Sequence, residues 1–109
     1  MKYLITESQL DKVIFRYLNN RDFIQIERNN EIYFAYSEND IYAQIRYYKS
    51  DGWCFIYINL IKEISSFFSL DESDSKKIIG RFVENTLQMK VKYTDIDFNY
   101  LNLLLRIPN

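Results

Sequence analysis

The feature that most constrains this chain is a series of four runs between residues 23 and 58 in which apolar and polar residues alternate. The runs are Phe23–Glu27, Ile32–Tyr36, Ile41–Tyr48 and Trp53–Ile58. Side chains of a strand point alternately to its two faces, so a period of two residues predicts β-structure. Short connections let consecutive strands pair in antiparallel orientation. The pattern therefore predicts a four-stranded antiparallel meander.

The lengths of the loops predict the register of this sheet. The two four-residue loops keep the same apolar face along the last three strands, because side chains alternate strictly. The first hairpin keeps that face only with a three-residue loop, Arg28–Asn30, that has an asparagine in the left-handed conformation. A two-residue turn at Asn29-Asn30 would place Glu27 opposite Ile32. We therefore predict the three-residue loop.

The predicted sheet has an aliphatic core face and an aromatic opposite face. The core face carries Ile24, Ile26, Ile32, Phe34, Ile41, Ala43, Ile45, Cys54, Ile56 and Ile58. The opposite face carries Tyr33, Tyr42, Gln44, Arg46, Tyr48, Trp53, Phe55 and Tyr57. Two outcomes are open for the aromatic face. Helices bury it as a second core, or part of it stays accessible and binds a partner.

Helical periodicity precedes the predicted sheet. Thr6 and Gln9 form a capping-box pattern, and an apolar stripe at helical spacing follows it until Asn19-Asn20. The stripe consists of Leu10, Val13, Ile14, Tyr17 and Leu18, and Phe15 points away from it. The pattern predicts an N-terminal helix.

Helical periodicity returns after the sheet and predicts helices at 60–69 and 72–90. Their apolar stripes are Leu60, Ile61, Ile64, Phe67 and Phe68, then Ile78, Ile79, Phe82, Val83 and Leu87. A capping-box pattern begins at Ser69. Gly80 lies away from the second stripe and costs about 1 kcal/mol of helix propensity. Residues 91–109 fit either a short helix capped by Asp97 or an edge strand, and we favour the helix.

These elements predict one α+β domain spanning residues 1–109. It has an N-terminal helix, a four-stranded antiparallel meander sheet, and then two or three C-terminal helices. With 48% hydrophobic residues the chain can fill a core of its own.

The composition excludes several kinds of catalytic site. The chain has no histidine, one cysteine and two glycines. This excludes Ser-His-Asp and Cys-His pairs, thiolate zinc sites and glycine-rich phosphate loops. Asp95 and Asp97 resemble the start of a calcium loop, but Tyr100 and Arg106 stand where glycine and glutamate are required. We therefore predict a protein that is not an enzyme and uses no metal and no cofactor.

Two kinds of binding function remain. The first is protein binding through the aromatic face, whose candidate contact residues are Tyr42, Arg46, Tyr48, Trp53, Phe55 and Tyr57. Tyr, Trp and Arg are common anchors of protein interfaces. The partner expected is another protein, and a homo-oligomer is also open.

The alternative is a nucleic-acid-binding regulator that uses the helical hairpin 60–90. Its candidate contacts are Lys76, Lys77 and Arg81. We rank it second, because the net charge of the chain is −1 and three acidic residues at 71–74 would repel phosphates. No apolar run is long enough to span a membrane, so a soluble protein is expected.

The residues Ile5-Thr6-Glu7-Ser8-Gln9 resemble the N-terminal helix start of small uncharacterised proteins from tailed bacteriophages. The resemblance covers the opening MKYLITESQLDKVI, about a tenth of the chain. It implies a phage-encoded protein located in the cytoplasm of an infected host cell or in the virion, with a host or virion protein as its partner. It implies no activity.

Overall fold

A helix, four strands, two helices and a fifth strand follow one another along the chain. The structure is a computed structural model and describes residues 7–40 and 42–98. The elements are α1 (Glu7–Asn19), β1 (Ile24–Arg28), β2 (Glu31–Ala35), β3 (Ile45–Tyr48), β4 (Trp53–Tyr57), α2 (Ile58–Phe68), α3 (Glu72–Leu87) and β5 (Tyr93–Asp97). The predicted α+β class and the N-terminal helix are confirmed.

The sheet is mixed and has its strands in the order β1-β2-β3-β4-β5. The first four strands are antiparallel neighbours, which confirms the meander. β5 pairs with β4 in parallel orientation, and α2 and α3 form the crossover that a parallel pair requires. The prediction of four strands was one strand short.

The strand at Tyr93–Asp97 lies in the tail segment for which the sequence left a short helix and an edge strand open. Thr94 and Ile96 alternate with three polar or amphipathic residues, and the backbone pairs with β4. Asp97 is therefore the last residue of a strand. The edge-strand alternative was the right one for residues 93–97. The predicted helix after Asp97 falls almost entirely on residues 99–109, which lie outside the described residues.

The first hairpin has a two-residue turn, so the predicted three-residue loop was wrong. Glu27 pairs with Ile32, and the residues on either side of Asn29-Asn30 are also paired. The expected left-handed asparagine is present, because Asn29 has a φ of 55°. Two-residue turns with positive φ match the twist of antiparallel strands.

The shorter turn moves the apolar residues of β1 to the other face of the sheet. Ile24 and Ile26 pack with Tyr33 and Ala35 instead of with Phe34. Glu27 is then on the helix side of the sheet, but it is exposed at the margin and remains hydrated.

The third strand is shorter than the predicted run. β3 begins at Ile45, after a bend at Gln44, and Ile41 lies outside the described residues. The bend interrupts the alternation of side chains. As a result Ala43 packs with Tyr33 and not with Ile45, contrary to the prediction. Ile58, predicted as the end of the fourth strand, begins α2.

The main core lies between one face of the sheet and the three helices, and we call this face the helix-covered face. Its buried residues are Ile14, Leu18, Ile32, Phe34, Ile45, Tyr47, Cys54, Ile56, Leu60, Ile61, Ile64, Ile78, Ile79, Phe82 and Val83. All buried apolar residues of α1, α2 and α3 belong to this cluster. In the described part of the chain the helices therefore cover one face of the sheet.

Two predicted core residues of the helices face solvent. Val13 is 51% exposed and Phe67 is 65% exposed. Phe15, which the stripe left outside, packs against Phe82 of α3 with ring centroids 5.8 Å apart. The contact with α3 decides the rotation of α1, because burying the large Phe15 ring contributes more than burying Val13.

The start of α3 differs from the predicted capping box. Asp71 is the N-cap and accepts a hydrogen bond of 2.7 Å from the backbone N–H of Asp74. Ser69 instead caps the C-terminus of α2 in the left-handed conformation. Asp71 is the better N-cap, because its negative charge interacts favourably with the positive N-terminal end of the helix and the neutral Ser69 would not.

Gly80 is buried and faces β5, contrary to the prediction that it lies on the outer side of α3. A Cβ atom at Gly80 would lie 2.6 Å from Cγ2 of Thr94. The glycine therefore allows the close approach of α3 and β5.

Candidate functional site

The sheet face opposite the helices, which we call the aromatic face, gathers the predicted contact residues. Along β2 to β5 it carries Tyr33, Arg46, Tyr48, Trp53, Phe55, Tyr57, Tyr93, Asp95 and Asp97. Tyr42 precedes β3 and its ring stacks on Tyr57 with a centroid distance of 5.9 Å. The structure thus brings together all six residues predicted as a partner-binding site.

The aromatic face is buried at one end and accessible at the other. On β2, Tyr33 is 1% exposed. On β4, Trp53 and Phe55 are half-buried, and on β5 Tyr93 is 55% exposed. Tyr33 is buried among Ile24, Ile26, Ala35 and Ala43, none of which belongs to a helix. In the described part of the chain the helices therefore do not bury this face as a second core, and its β4–β5 end stays accessible.

Arg46 lies at the centre of the aromatic face and is 8% exposed. Its guanidinium carbon lies 5.0 Å from the ring centroid of Tyr48 and 5.3 Å from that of Phe55. It also forms ion pairs with Glu31 at 3.8 Å and with Asp97 at 3.9 Å. A buried arginine with four such neighbours holds strands β2, β3, β4 and β5 in place and has little surface for a partner.

Tyr33 adds a hydrogen bond to the same cluster. Burial raises the pKa of Tyr33, and its hydrogen bond to the Glu31 carboxylate raises it further. The phenol therefore remains protonated at neutral pH and donates to Glu31.

The accessible end is a row of aromatic rings. Trp53 stacks on Phe55, with centroids 5.6 Å apart and planes at 14°. Trp53 also contacts Tyr93 of β5, with ring centroids 4.9 Å apart and planes at 31°. Tyr48 closes the row against Phe55 at 5.5 Å. Four rings from three strands thus form one continuous apolar surface.

Beside this row is an open hollow of about 280 Å³, which we call the Trp53 hollow. It is lined by Tyr48, Asp51, Trp53, Phe55 and Asp95. The Oδ1 atom of Asp51 accepts a hydrogen bond of 3.2 Å from the backbone N–H of Trp53. The Oδ1 atom of Asp95 accepts one of 2.8 Å from the backbone N–H of Ile96. Both hydrogen bonds orient carboxylates at the margin of the aromatic surface.

The site predicted from the sequence did not include the residues of β5. Tyr93, Asp95 and Asp97 reach the aromatic face because β5 pairs with β4. Their alternation with Thr94 and Ile96 was the available signal. The apolar residues after Phe98 outweighed that signal and favoured a helix.

The three cations of the nucleic-acid alternative lie on α3 but do not form a common free patch. Arg81 forms a bidentate ion pair with Asp11 of α1, with bonds of 2.7 and 2.9 Å. Lys77 is exposed and Lys76 is half-buried. Because the guanidinium of Arg81 already donates to a carboxylate, it has fewer hydrogen-bond donors available for a phosphate.

The charge of the aromatic face also distinguishes possible partners. Its described acidic residues are Glu31, Asp51, Asp95 and Asp97, and Arg46 lies among them. Such a surplus of carboxylates repels a phosphate backbone, although the rings alone could stack on bases.

Other kinds of site receive no support from the described geometry. Within residues 7–40 and 42–98, the Cys, Asp and Glu side chains do not gather in threes that could hold a metal ion. None of the helices in these ranges combines the length and apolarity needed to cross a bilayer. Cys54 is fully buried, and burial raises the pKa of its thiol to about 12, which disfavours a reactive thiolate.

No known protein family, curated protein or solved structure significantly matches this chain. The functional proposal therefore rests on the residues of the aromatic face.

Proposed function

We propose that the protein is a non-enzymatic protein-binding module and that the accessible end of the aromatic face is its contact surface. The observation that carries this proposal is the row of half-buried and exposed rings around Trp53, on the face opposite the described helices. Large rings with little conformational entropy to lose are the usual anchors of interfaces.

Five of the six residues of the predicted site take distinct roles in this proposal, and the sixth, Tyr42, stacks on Tyr57. Trp53, Phe55 and Tyr57 contact the partner, because their rings are half-buried and lie on the same strand. Arg46 positions the strands from below, since it is 8% exposed and ion-paired. Tyr48 contacts both Arg46 and Phe55, so it connects the positioning residue with the contact residues.

The class of partner follows from the charge of the face and from the N-terminal resemblance. The carboxylates around the rings favour a protein over a nucleic acid. The resemblance of residues 5–9 to phage proteins suggests a host protein or another virion component as the partner, in an infected cell or in the virion.

The test compares Trp53→Ala with Phe67→Ala in affinity capture from host lysate and from virion extract. Phe67 is 65% exposed on α2, on the helix side of the molecule, so it is a matched loss of one large ring. For Trp53→Ala we expect a protein captured by the wild type to bind more than 10-fold more weakly, because a central aromatic anchor contributes about 2 kcal/mol. Phe67→Ala should bind it as the wild type does.

Both variants should retain cooperative thermal unfolding, which circular dichroism can check. Arg46→Ala is unsuitable for this purpose, because it would disturb a buried ion-pair cluster. Equal affinity of Trp53→Ala and wild type for every captured protein would refute the proposal.

A further inference from the structure

The Trp53 hollow combines aromatic rings with carboxylates, and this combination suits a positively charged group. The faces of Trp and Tyr rings carry partial negative charge and attract ammonium and guanidinium groups. Three of the five residues lining the hollow are aromatic, and the other two are Asp51 and Asp95. Ring faces and carboxylates thus point to the same charge of ligand.

The interior of the same face already shows this recognition. The Arg46 guanidinium lies against the rings of Tyr48 and Phe55, at 5.0 and 5.3 Å from their centroids. Glu31 and Asp97 lie beside it as counter-ions. The outer end of the row repeats the arrangement, with Trp53 as the ring and Asp95 as the carboxylate.

The size of the hollow limits what can occupy it. Its volume of about 280 Å³ is close to the lower limit for small-molecule sites, which begin at about 300 Å³. It is open to solvent along the edge of the aromatic row. One long side chain fits such a space better than a whole metabolite does.

We infer that the partner inserts a lysine or arginine side chain into the Trp53 hollow, from a segment that lies along the aromatic face. This inference rests on the proposed function and adds the chemistry of the partner. The cation stacks on the Trp53 ring, and its charge is balanced by Asp95 and Asp51.

The two carboxylates do not contribute equally. Asp51 also borders a second hollow, lined in part by Lys49, Lys90 and Lys92. These lysines offset part of its charge. Asp95 does not line that second hollow, so we expect it to contribute more to the attraction of a cation.

The experiment uses Trp53 itself as the reporter, since the chain has one tryptophan. The full chain is titrated with acetylated hexapeptides in which threonine alternates with lysine, arginine, glutamine or glutamate. The lysine and arginine peptides should change the Trp53 fluorescence saturably and bind at least 10-fold more tightly than the glutamine peptide. The glutamate peptide should give no saturable change.

Asp95→Asn and Asp51→Asn remove one charge each and keep an oxygen that can accept the backbone hydrogen bond. We expect Asp95→Asn to weaken the affinity for the lysine peptide by about 3- to 5-fold, and Asp51→Asn to weaken it by less. The affinity of the double variant for the lysine peptide should be about 10-fold lower than that of the wild type. This difference should be smaller at high salt, because salt screens charges. Glu38→Gln with Glu72→Gln is the control, because it removes two exposed charges elsewhere and should change nothing.

The peptide titrations and the affinity capture together distinguish a wrong inference about the cation from a wrong proposed function. If the lysine peptide gives no saturable change up to millimolar concentration, or binds Asp51→Asn/Asp95→Asn as well as the wild type, the inference is wrong. The proposed function stands in that case as long as Trp53→Ala still loses the captured partner. If Trp53→Ala keeps the partner, both fail.

Discussion

Neighbouring residues of one strand in this protein point into two very different surroundings. Ile45 and Ile56 face the helices and are 0% exposed in a cluster made of apolar side chains. Arg46, next to Ile45, faces the other way and meets Glu31 and Asp97. The alternation of side chains lets one sheet carry a stabilising core on one face and a charged, aromatic surface on the other.

The two faces differ in what their burial contributes. On the helix-covered face, burial of apolar area stabilises the fold by roughly 25 cal/mol per Å². On the aromatic face, the desolvation cost of burying charges is about offset by the ion pairs. The cluster of Arg46, Glu31 and Asp97 therefore fixes the arrangement of the strands more than it adds net stability. Three changes test this difference, in order of decreasing expected effect at pH 7.

The largest effect should come from removing the charge of Arg46. Arg46→Met fills a similar space but leaves Glu31 and the 2% exposed Asp97 without their buried cation. We expect a loss of about 3 kcal/mol in the free energy of unfolding, measured by urea denaturation. Adding Asp97→Asn should restore at least half of it. If Arg46→Met is as stable as the wild type, the ion pairs do not hold this face together.

A smaller loss should follow from adding one methyl group on the helix-covered side. Gly80→Ala gains about 1 kcal/mol of helix propensity, but its Cβ would lie 2.6 Å from Cγ2 of Thr94. Overpacking of this kind costs about 1–3 kcal/mol, so we expect a net loss of about 1 kcal/mol.

Thr94→Ser removes the clashing methyl group and provides the control for this prediction. In the Thr94→Ser background, Gly80→Ala should be neutral or stabilising by the same denaturation measurement. A stabilising Gly80→Ala in the wild-type background would mean that Gly80 does not contact β5 closely, and would agree with the sequence prediction that it lies away from the apolar stripe of its helix.

The smallest effect concerns the alkaline stability that Cys54 contributes on the helix-covered face. Its pKa is raised from 9.0 to about 12 by burial, so above pH 9 the unfolded chain loses a proton that the folded chain keeps. The stabilisation is complete below pH 9 and declines as the pH rises. By pH 10 the loss is about 1 kcal/mol for this group.

Cys54→Ala removes that contribution, while the tyrosines with raised pKa on both faces remain. The stability of Cys54→Ala should therefore fall less between pH 8 and pH 10 than that of the wild type, by about 1 kcal/mol in parallel urea titrations. Identical pH profiles would show that the thiol ionises in the folded protein.

The sequence by itself determined the features that depend on neighbours along the chain. Alternation over residues 23–58 predicted the meander, and helical periodicity predicted three helices, because the period of side-chain direction is a local property. The same alternation placed Trp53, Phe55 and Tyr57 on one face together with Arg46. These residues form the larger part of the candidate site.

Only the tertiary structure decided the features that depend on distant partners. The contact between Phe15 and Phe82 set the rotation of α1, and pairing with β4 made Tyr93–Asp97 a strand. That pairing brought Asp95 beside Trp53 and Asp97 beside Arg46. The alternation around Thr94 was a local signal for a strand, but it did not identify the partner of that strand. The free energy of these contacts arises between elements that lie far apart along the chain.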